Sequence, residues 1–257
     1  PARLVVEGDH EIARGIAFAA GTFDKRIGAR STNSGAEFSG SVALRADSTN
    51  IKFFAEGATD RAVFSGEISG GEAGLNVEIN PGGAEGTVQF TGNDKTYANM
   101  TYVRGGLLEV AAGTTLSAPV IVEPGIGGSA VVGGSGTFSG GVEVAAGGIL
   151  APGTGVGVMA SSGQTWEAAG ALEIEISDPS GGAGVGWDLL GVDGIVNITA
   201  SPEDPFLVRV ISLEAPGGFS PDSAVSWKVV QSSEGIIGFS PGNFVIDATE
   251  FVTGPGG

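Results

Sequence analysis

Gly238-Phe239-Ser240-Pro241-Gly242 carries the glycine-serine-glycine spacing of a nucleophile elbow. An elbow holds its hydroxyl on a sharp strand-to-helix turn and needs a histidine later in the chain to take the proton. Here Pro241 follows the serine, and the single histidine, His10, lies near the start. One imidazole cannot build a three-histidine metal site. Between Asp9 and Glu11 it reads as an ordinary surface group, the alternative being a pH-sensitive contact with the flanking acids. Glu173 and Glu175 alternate with Leu172, Ile174 and Ile176, so a strand would place both on one face about 7 Å apart. That separation suits the two carboxyls of an inverting glycosidase, and the same alternation equally describes the solvated face of a half-buried strand. Stacked on the acids of a neighbouring coil, these glutamates, or Asp178, Asp188 and Asp193, would make a weak cation site. The chain has no EF-hand-type acidic loop and no calcium-binding nonapeptide, so calcium is a minor expectation.

The remaining candidates read the same way. Gly133-Gly134-Ser135-Gly136 and Gly153-Thr154-Gly155-Val156-Gly157 lack the spacing, the lysine and the following helix of a phosphate cradle, and are expected to be turns. Trp166, Trp187 and Trp227 offer flat faces to sugar rings, but packing is the commoner use of such residues in an apolar body. Asn99-Met100-Thr101 and Asn197-Ile198-Thr199 fit the glycosylation sequon. The sequence therefore assigns no catalytic residue, no cofactor-binding residue and no metal ligand.

The elements that would have to position such groups are set by composition. The chain has 257 residues, of which 41% are hydrophobic, with 47 Gly, 12 Pro and no Cys. It is long enough to bury a core. The glycine content, without a G-X-Y period, points to a turn-dense, all-β architecture rather than to collagen or helices. Absence of cysteine removes disulfides, thiolate nucleophiles and cysteine-ligated metals. The 12 basic residues against 29 acidic ones give a net charge of -17, which repels phosphate backbones and anionic lipid, so nucleic acid is excluded as a partner. No run of apolar residues is long enough to span a bilayer. The chain opens at Pro1-Ala2-Arg3 without a signal segment, and a secretory signal is expected upstream if the protein is exported. Residues 1 to 104 hold 10 basic and 13 acidic side chains and residues 105 to 257 hold 2 and 16, so the net charges are -3 and -14. This asymmetry either orients head-to-tail contacts or keeps the C-terminal part soluble.

Apolar residues come in short alternating bursts, including Leu4 to Val6, Ser41 to Leu44, Leu75 to Ile79, Thr87 to Phe90, Leu107 to Val110, Val120 to Val122, Gly141 to Val144, Leu172 to Ile176, Phe206 to Val210 and Val225 to Val230. Gly-Gly, Asn-Pro-Gly and Ala-Pro-Gly separate them, giving strand, turn, strand throughout. His10 to Ala20 is also expected to be extended. Leu108-Glu109-Val110-Ala111-Ala112-Gly113 recurs further on as Val142-Glu143-Val144-Ala145-Ala146-Gly147. A strand and small-residue corner repeated at a fixed offset suggests a solenoid. Two coils of about 17 residues per repeat would give ~15 coils and a rod on the order of 70 Å. Asp193-Gly194 is the single hairpin-type dipeptide, which favours stacked parallel coils over a sandwich of hairpins.

At these residues the chain resembles the autotransporter-associated β-strand repeat proteins, the glycine-rich passenger-like surface proteins of bacteria. The resemblance rests on Phe64-Ser65-Gly66-Glu67-Ile68-Ser69-Gly70-Gly71, then Gly74-Leu75, then Gly86-Thr87-Val88-Gln89-Phe90-Thr91-Gly92-Asn93-Asp94-Lys95-Thr96-Tyr97. Gly105 to Leu116 and Gly140 to Gly153 are similar to the continuation of that unit, and Trp187 to Asp247 to the region that closes such passengers. Together they cover about residues 35 to 250. Lys95 and Ala98-Asn99 depart from the small residues usual around the tyrosine. The resemblance implies a right-handed parallel β-helix at the bacterial cell surface or secreted from it, serving as stalk, fibre or adhesive body, with no catalytic residues.

The expectation is thus a right-handed parallel β-helix, or β-solenoid, with repeats over residues 1–165 and a bulkier, less regular cap-like β region over 166–257, the two readable also as one continuous domain. Its function is structural or adhesive and extracellular. It needs no cofactor. It associates with itself, end to end or laterally, into oligomers or fibres; surface glycans are a further partner, and this segment does not insert into membranes. The alternatives are a polysaccharide-active β-helix enzyme, a lyase or glycosidase, or a passive surface module that binds glycan or calcium.

Overall fold

The computed structural model describes residues 2–18, 24–30, 35–45, 51–71, 76–126, 128–213 and 224–252. Strands bury alternate side chains, as in the buried, exposed, buried pattern of Val42–Leu44. They hydrogen-bond in parallel to the strand one turn of chain away, as Val120–Val122 does to Met100–Val103 on one side and Val142–Val144 on the other. The outcome is a parallel β-solenoid. A first sheet of ten strands runs from Ala2–Glu7 to Ile236–Ile237, and a second of nine runs from Ala36–Phe38 to Phe244–Asp247. The third face holds three strands, Ile16–Ala17 to Ile68–Gly70, and five more, Thr115–Leu116 to Val230–Ser232.

Coils are longer than the expected length of about 17 residues. In the first sheet Ala2 pairs with Lys25, Lys25 with Ile51, Ile51 with Val77, Val77 with Thr101, Thr101 with Val120, Val120 with Val142 and Val142 with Gln164. A turn of the chain thus takes roughly 20–25 residues, within the usual span of solenoid repeats. Among the described residues the stack therefore has ten coils, about 45 Å at the sheet spacing, rather than fifteen. The difference comes from the internal repeat. Leu108-Glu109-Val110 lies in the second sheet and Val142-Glu143-Val144 in the first, so the recurring unit is a corner, not a coil. In both copies the turn closes with the same hydrogen bond, Thr114 N to Ala111 O at 3.1 Å and Gly148 N to Ala145 O at 2.9 Å. Gly113 and Gly147 hold φ of 78° and 76°, a left-handed position that a side chain at the third residue of the turn would disfavour.

The interior is built of columns. Ile27, Phe53, Ile79, Val103, Val122, Val144, Trp166 and Ile198 stack along the first sheet. Phe38, Phe64, Phe90 and Val110 stack along the second. Phe38 and Phe64 lie parallel at 4.6 Å, and Phe53 meets Phe64 edge-on at 4.8 Å. Toward the other end Trp166 stacks on Phe206 at 4.9 Å, with Phe244 edge-on to both.

The later coils are longer still. Gln164 pairs with Val196 and Val196 with Ile236, so the chain spends half as much again, and then nearly twice as much, on a turn. This is the bulkier C-terminal region. Residues 225 to 229 are not a strand as expected. The partner strand is Leu189–Val192, whose Leu190 already meets Val230, so the preceding residues run past the start of its ladder. Of residues 10 to 18, Ile16–Ala17 is a strand and Glu11 makes one bridge to Glu37. Ala19, Ala20, Gly74 and Leu75 lie outside the described residues.

Candidate functional site

The groups whose chemistry the fold alters most sit at corners. Along the outer face of the second sheet, register stacks Glu37, Val63, Gln89, Glu109, Gly133 and Ala151. Gly133 and Ala151 have almost no side chain, and a Cβ on Gly133 would meet the Ala151 carbonyl oxygen at 2.3 Å. They leave a notch of about 270 Å³ lined also by Glu109, Glu173, Glu175 and Asp188. Each acid is held differently. Glu109, nearly buried, accepts from Arg61 at 2.9 Å and Gln89 at 2.8 Å. Glu173 pairs with Arg209 at 3.0 Å. Asp188 is fully buried and accepts from the amides of Gly157 at 2.8 Å and Glu175 at 2.7 Å, one on each oxygen. Burial pushes its carboxyl up to about 7, against the pull of those two amides. Glu175 is also raised, by burial and then by the charge of Glu173.

Two further buried polar groups do similar work. Between Ile68–Gly70 and Thr115–Leu116 the third face has no strand among the described residues; a single residue, Lys95, bridges Ile68 to Leu116 and so links the two groups of strands. Its side chain is fully buried, and the ammonium donates to the carbonyls of Gly66, Thr91 and Asn93 at 2.7, 2.9 and 2.5 Å. Each of its three protons has an acceptor, which offsets the burial that lowers its pKa to about 8. Asn80, at φ 49°, accepts from the Ala55 amide at 2.8 Å and donates to the Gly86 carbonyl at 2.7 Å.

The sequence candidates are scattered. Ser240 is exposed and opens the one-turn 3-10 helix Pro241–Asn243, accepting at its carbonyl from Asn243; this is not an elbow followed by an α-helix. His10 is exposed beside the Glu37 strand, with its carbonyl taken by the Glu37 amide. Glu173 and Glu175 do share the outer face of Ala171–Ile176. Asp178 caps its own turn through Ser180, Asp193 takes the Ser233 hydroxyl at 3.0 Å, and Asp188 is buried at the notch. Among the described residues no group of three or more acids, histidines or cysteines is placed to hold a metal ion. Trp166 is inside the solenoid, with its indole N–H donating to Gln164 at 3.2 Å. Trp187 and Trp227 donate to the carbonyls of Lys228 and Pro179, tying the 178–187 excursion to the following coil. Asn197 faces outward on the first sheet, and Asn99 is buried. Of the glycine runs, Gly133 and Gly134 end a strand, and Gly153 and Gly155 turn with positive φ.

Asn80 is a structural group that the sequence does not single out, and the structural role of Lys95 is not read there. Lys95 is visible there as a departure from small residues, but its role shows only once register puts it between Ile68 and Leu116. No family model, no curated protein and no solved structure matches the chain.

Proposed function

We propose that this chain is a non-catalytic structural and adhesive module of an exported bacterial surface protein, a right-handed β-solenoid of the autotransporter-associated repeat kind. One observation carries the reading. Three buried polar groups, Lys95, Asp188 and Asn80, have every side-chain nitrogen and oxygen bonded to backbone, as a scaffold requires. Self-association fits the last coil, where Ile237, Ile246 and Phe239 are 52%, 71% and 60% exposed on strands and turns whose outer edge is unpaired among the described residues. Negative-stain images of the purified chain, and incubation with pectin, alginate and neutral glycans, test it: rods that join at their ends and no new reducing ends or unsaturated products are expected. Turnover of any glycan would sink it. A second reading, a glycan hydrolase, draws on the raised carboxyl of Glu175 beside Glu173 in the notch. It predicts turnover that Glu175→Gln abolishes.

A further inference from the structure

Three cations stand in register on the outer face of the first sheet: Arg3 pairs with Arg26, and Arg26 with Lys52. Like charges directly opposite each other across a ladder destabilise it. The outer two are neutralised. Arg3 binds Glu56 at 2.9 Å, and Lys52 binds Asp24 at 2.6 Å and Glu78 at 3.3 Å. Arg30 also lies on Glu56, at 2.7 Å, so that carboxylate is already shared by two guanidinium groups. Arg26, between its like-charged neighbours, makes no side-chain hydrogen bond or ion pair among the described residues; Asp24 feels its charge but bonds to Lys52. A basic column of this kind is out of character in a chain of net charge -17.

Arg26 lines a depression of about 160 Å³ together with Arg3, Phe54, Glu56 and the corner Pro81 to Ala84. Arg3 is held over the Phe54 ring, its guanidinium carbon 4.9 Å from the centroid, which fixes the orientation of its fork. At the rim, Gly82 and Gly83 have φ of 73° and 87°, with nothing among the described residues within 4 Å of either missing Cβ. Their amides donate to no acceptor among the described residues. The depression is thus lined by the Arg26 guanidinium, by Arg3, whose fork is shared with Glu56, by the Glu56 carboxylate already held by Arg3 and Arg30, and by two adjacent amides with no acceptor among the described residues; guanidinium groups and backbone amides are the donors that oxyanion sites use.

We propose that this depression holds an oxyanion, a carboxylate or sulfate, carried on an acidic polysaccharide. The choice of a polymer rests on the reading of the chain as a surface module; the oxyanion rests on the geometry alone. A chain ligand also suits the site's position, because the outer face of a sheet is open along its length. Bound anion compensates Arg26, the cation of the column that has no ion pair among the described residues.

The test is calorimetric titration of the intact chain with oligogalacturonate, a sulfated oligosaccharide and a neutral malto-oligosaccharide, with acetate and sulfate ions as free-ion arms. At least one anionic oligosaccharide is expected to bind and to raise Tm, while the neutral sugar does neither. Arg26→Gln is expected to weaken binding at least tenfold while leaving the Tm of the free protein unchanged or higher, since it removes repulsion. Arg14→Gln, which deletes the same charge elsewhere, should leave binding intact. The site is overturned if neither anionic oligosaccharide binds, if Arg14→Gln weakens binding as much as Arg26→Gln, or if Arg26→Gln lowers Tm. Saturation by acetate or sulfate as tight as by the oligosaccharides overturns the polymer. Release of reducing ends during the titration would instead sink the non-catalytic reading and leave the site standing.

Discussion

Seven of the eight ion pairs among the described residues use cations from residues 3 to 104, and one, Arg209 with Glu173, lies beyond them. The acids perturbed by ion pairs or by burial divide along the same line, while Asp178 and Asp247 of the later coils are lowered by hydrogen bonds from Ser180 and Thr249 in their own turns. In the early coils the hydrogen bond from Lys52 holds Asp24 below the ordinary carboxylate range, and that from Arg30 holds Glu56 there. In the later coils burial raises Glu143, Glu175 and Asp188. One backbone plan thus carries two electrostatic regimes, the first compensated by pairing and the second set by burial, which backbone amides oppose at Asp188. The cores differ as well, with four phenylalanines clustered in the early coils and a separate group of Trp166, Phe206 and Phe244 in the later ones.

The largest effect is expected from the aromatic core of the early coils. Phe64 is fully buried and touches Phe38, Phe53 and Phe90, so Phe64→Ala should cost about 3–5 kcal/mol. Urea unfolding measures it, and a loss under about 1 kcal/mol would mean that neighbouring coils collapse into the space. Next comes the seam between the two regions. Lys95→Met keeps the length of the side chain but removes the donor from one buried and two part-buried carbonyls, at a cost of about 1–3 kcal/mol. Limited proteolysis should then open the chain near Asn93 before either half. A neutral result would show that burying the ammonium costs as much as its hydrogen bonds return.

How much of this can be read from residues alone depends on the range of the interaction. Short alternation at Val42–Leu44, Thr87–Phe90 and within Ala171–Ile176 marks strands, because a period of two is local. The parallel solenoid follows from glycine corners and one repeat. Coil length does not follow, because Gly113 and Gly147 turn corners between different pairs of sheets with the same local chemistry. The strand Lys25–Arg30 does not show in the sequence: its cations mask the period, yet Lys25 is buried and Arg26 faces out. The roles of Lys95, Asp188 and the Arg3, Arg26, Lys52 column do not show without register, since each gains its meaning from residues on other coils.

The two regimes should answer pH in opposite directions. Asp24 and Glu56 have folded pKa values below their ordinary ones, so the stability they add is present above the ordinary range and is lost as pH falls through the folded values. Both are about two-fifths exposed, so solvent screens the pairs and the effect is small. Asp188, Glu175 and Glu143 are raised, so their contribution is full below the ordinary carboxylate pKa and is lost as pH rises, for Asp188 through about 7. Hydrogen exchange, corrected for intrinsic rate, should show Ala171–Ile176 and Leu189–Val192 better protected at pH 5 than at pH 8. The early strands should show no such loss. Asp188→Asn should flatten the later coils' dependence. Equal pH profiles in both regions would break the comparison.

Salt gives the smallest effect and the sharpest sign. Exposed ion pairs such as Arg3 with Glu56 and Arg30 with Glu7 weaken when the screening length falls from about 10 Å at 0.1 M to about 3 Å at 1 M. Residues 105 to 257, at a net charge of -14, have mainly repulsion to screen, so the same salt should steady them. Exchange at 0.1 and 1 M sodium chloride should therefore lower protection in Lys25–Arg30 and Ile51–Ala55 while raising it in Val142–Val144 and Ala171–Ile176, each by roughly 0.2–1 kcal/mol. Chloride is the suitable anion because sulfate strengthens burial everywhere and would also compete at Arg26. A uniform rise across all four strands would mean that burial, not charge, sets the response, and the early ion pairs would then be geometry without energetic weight.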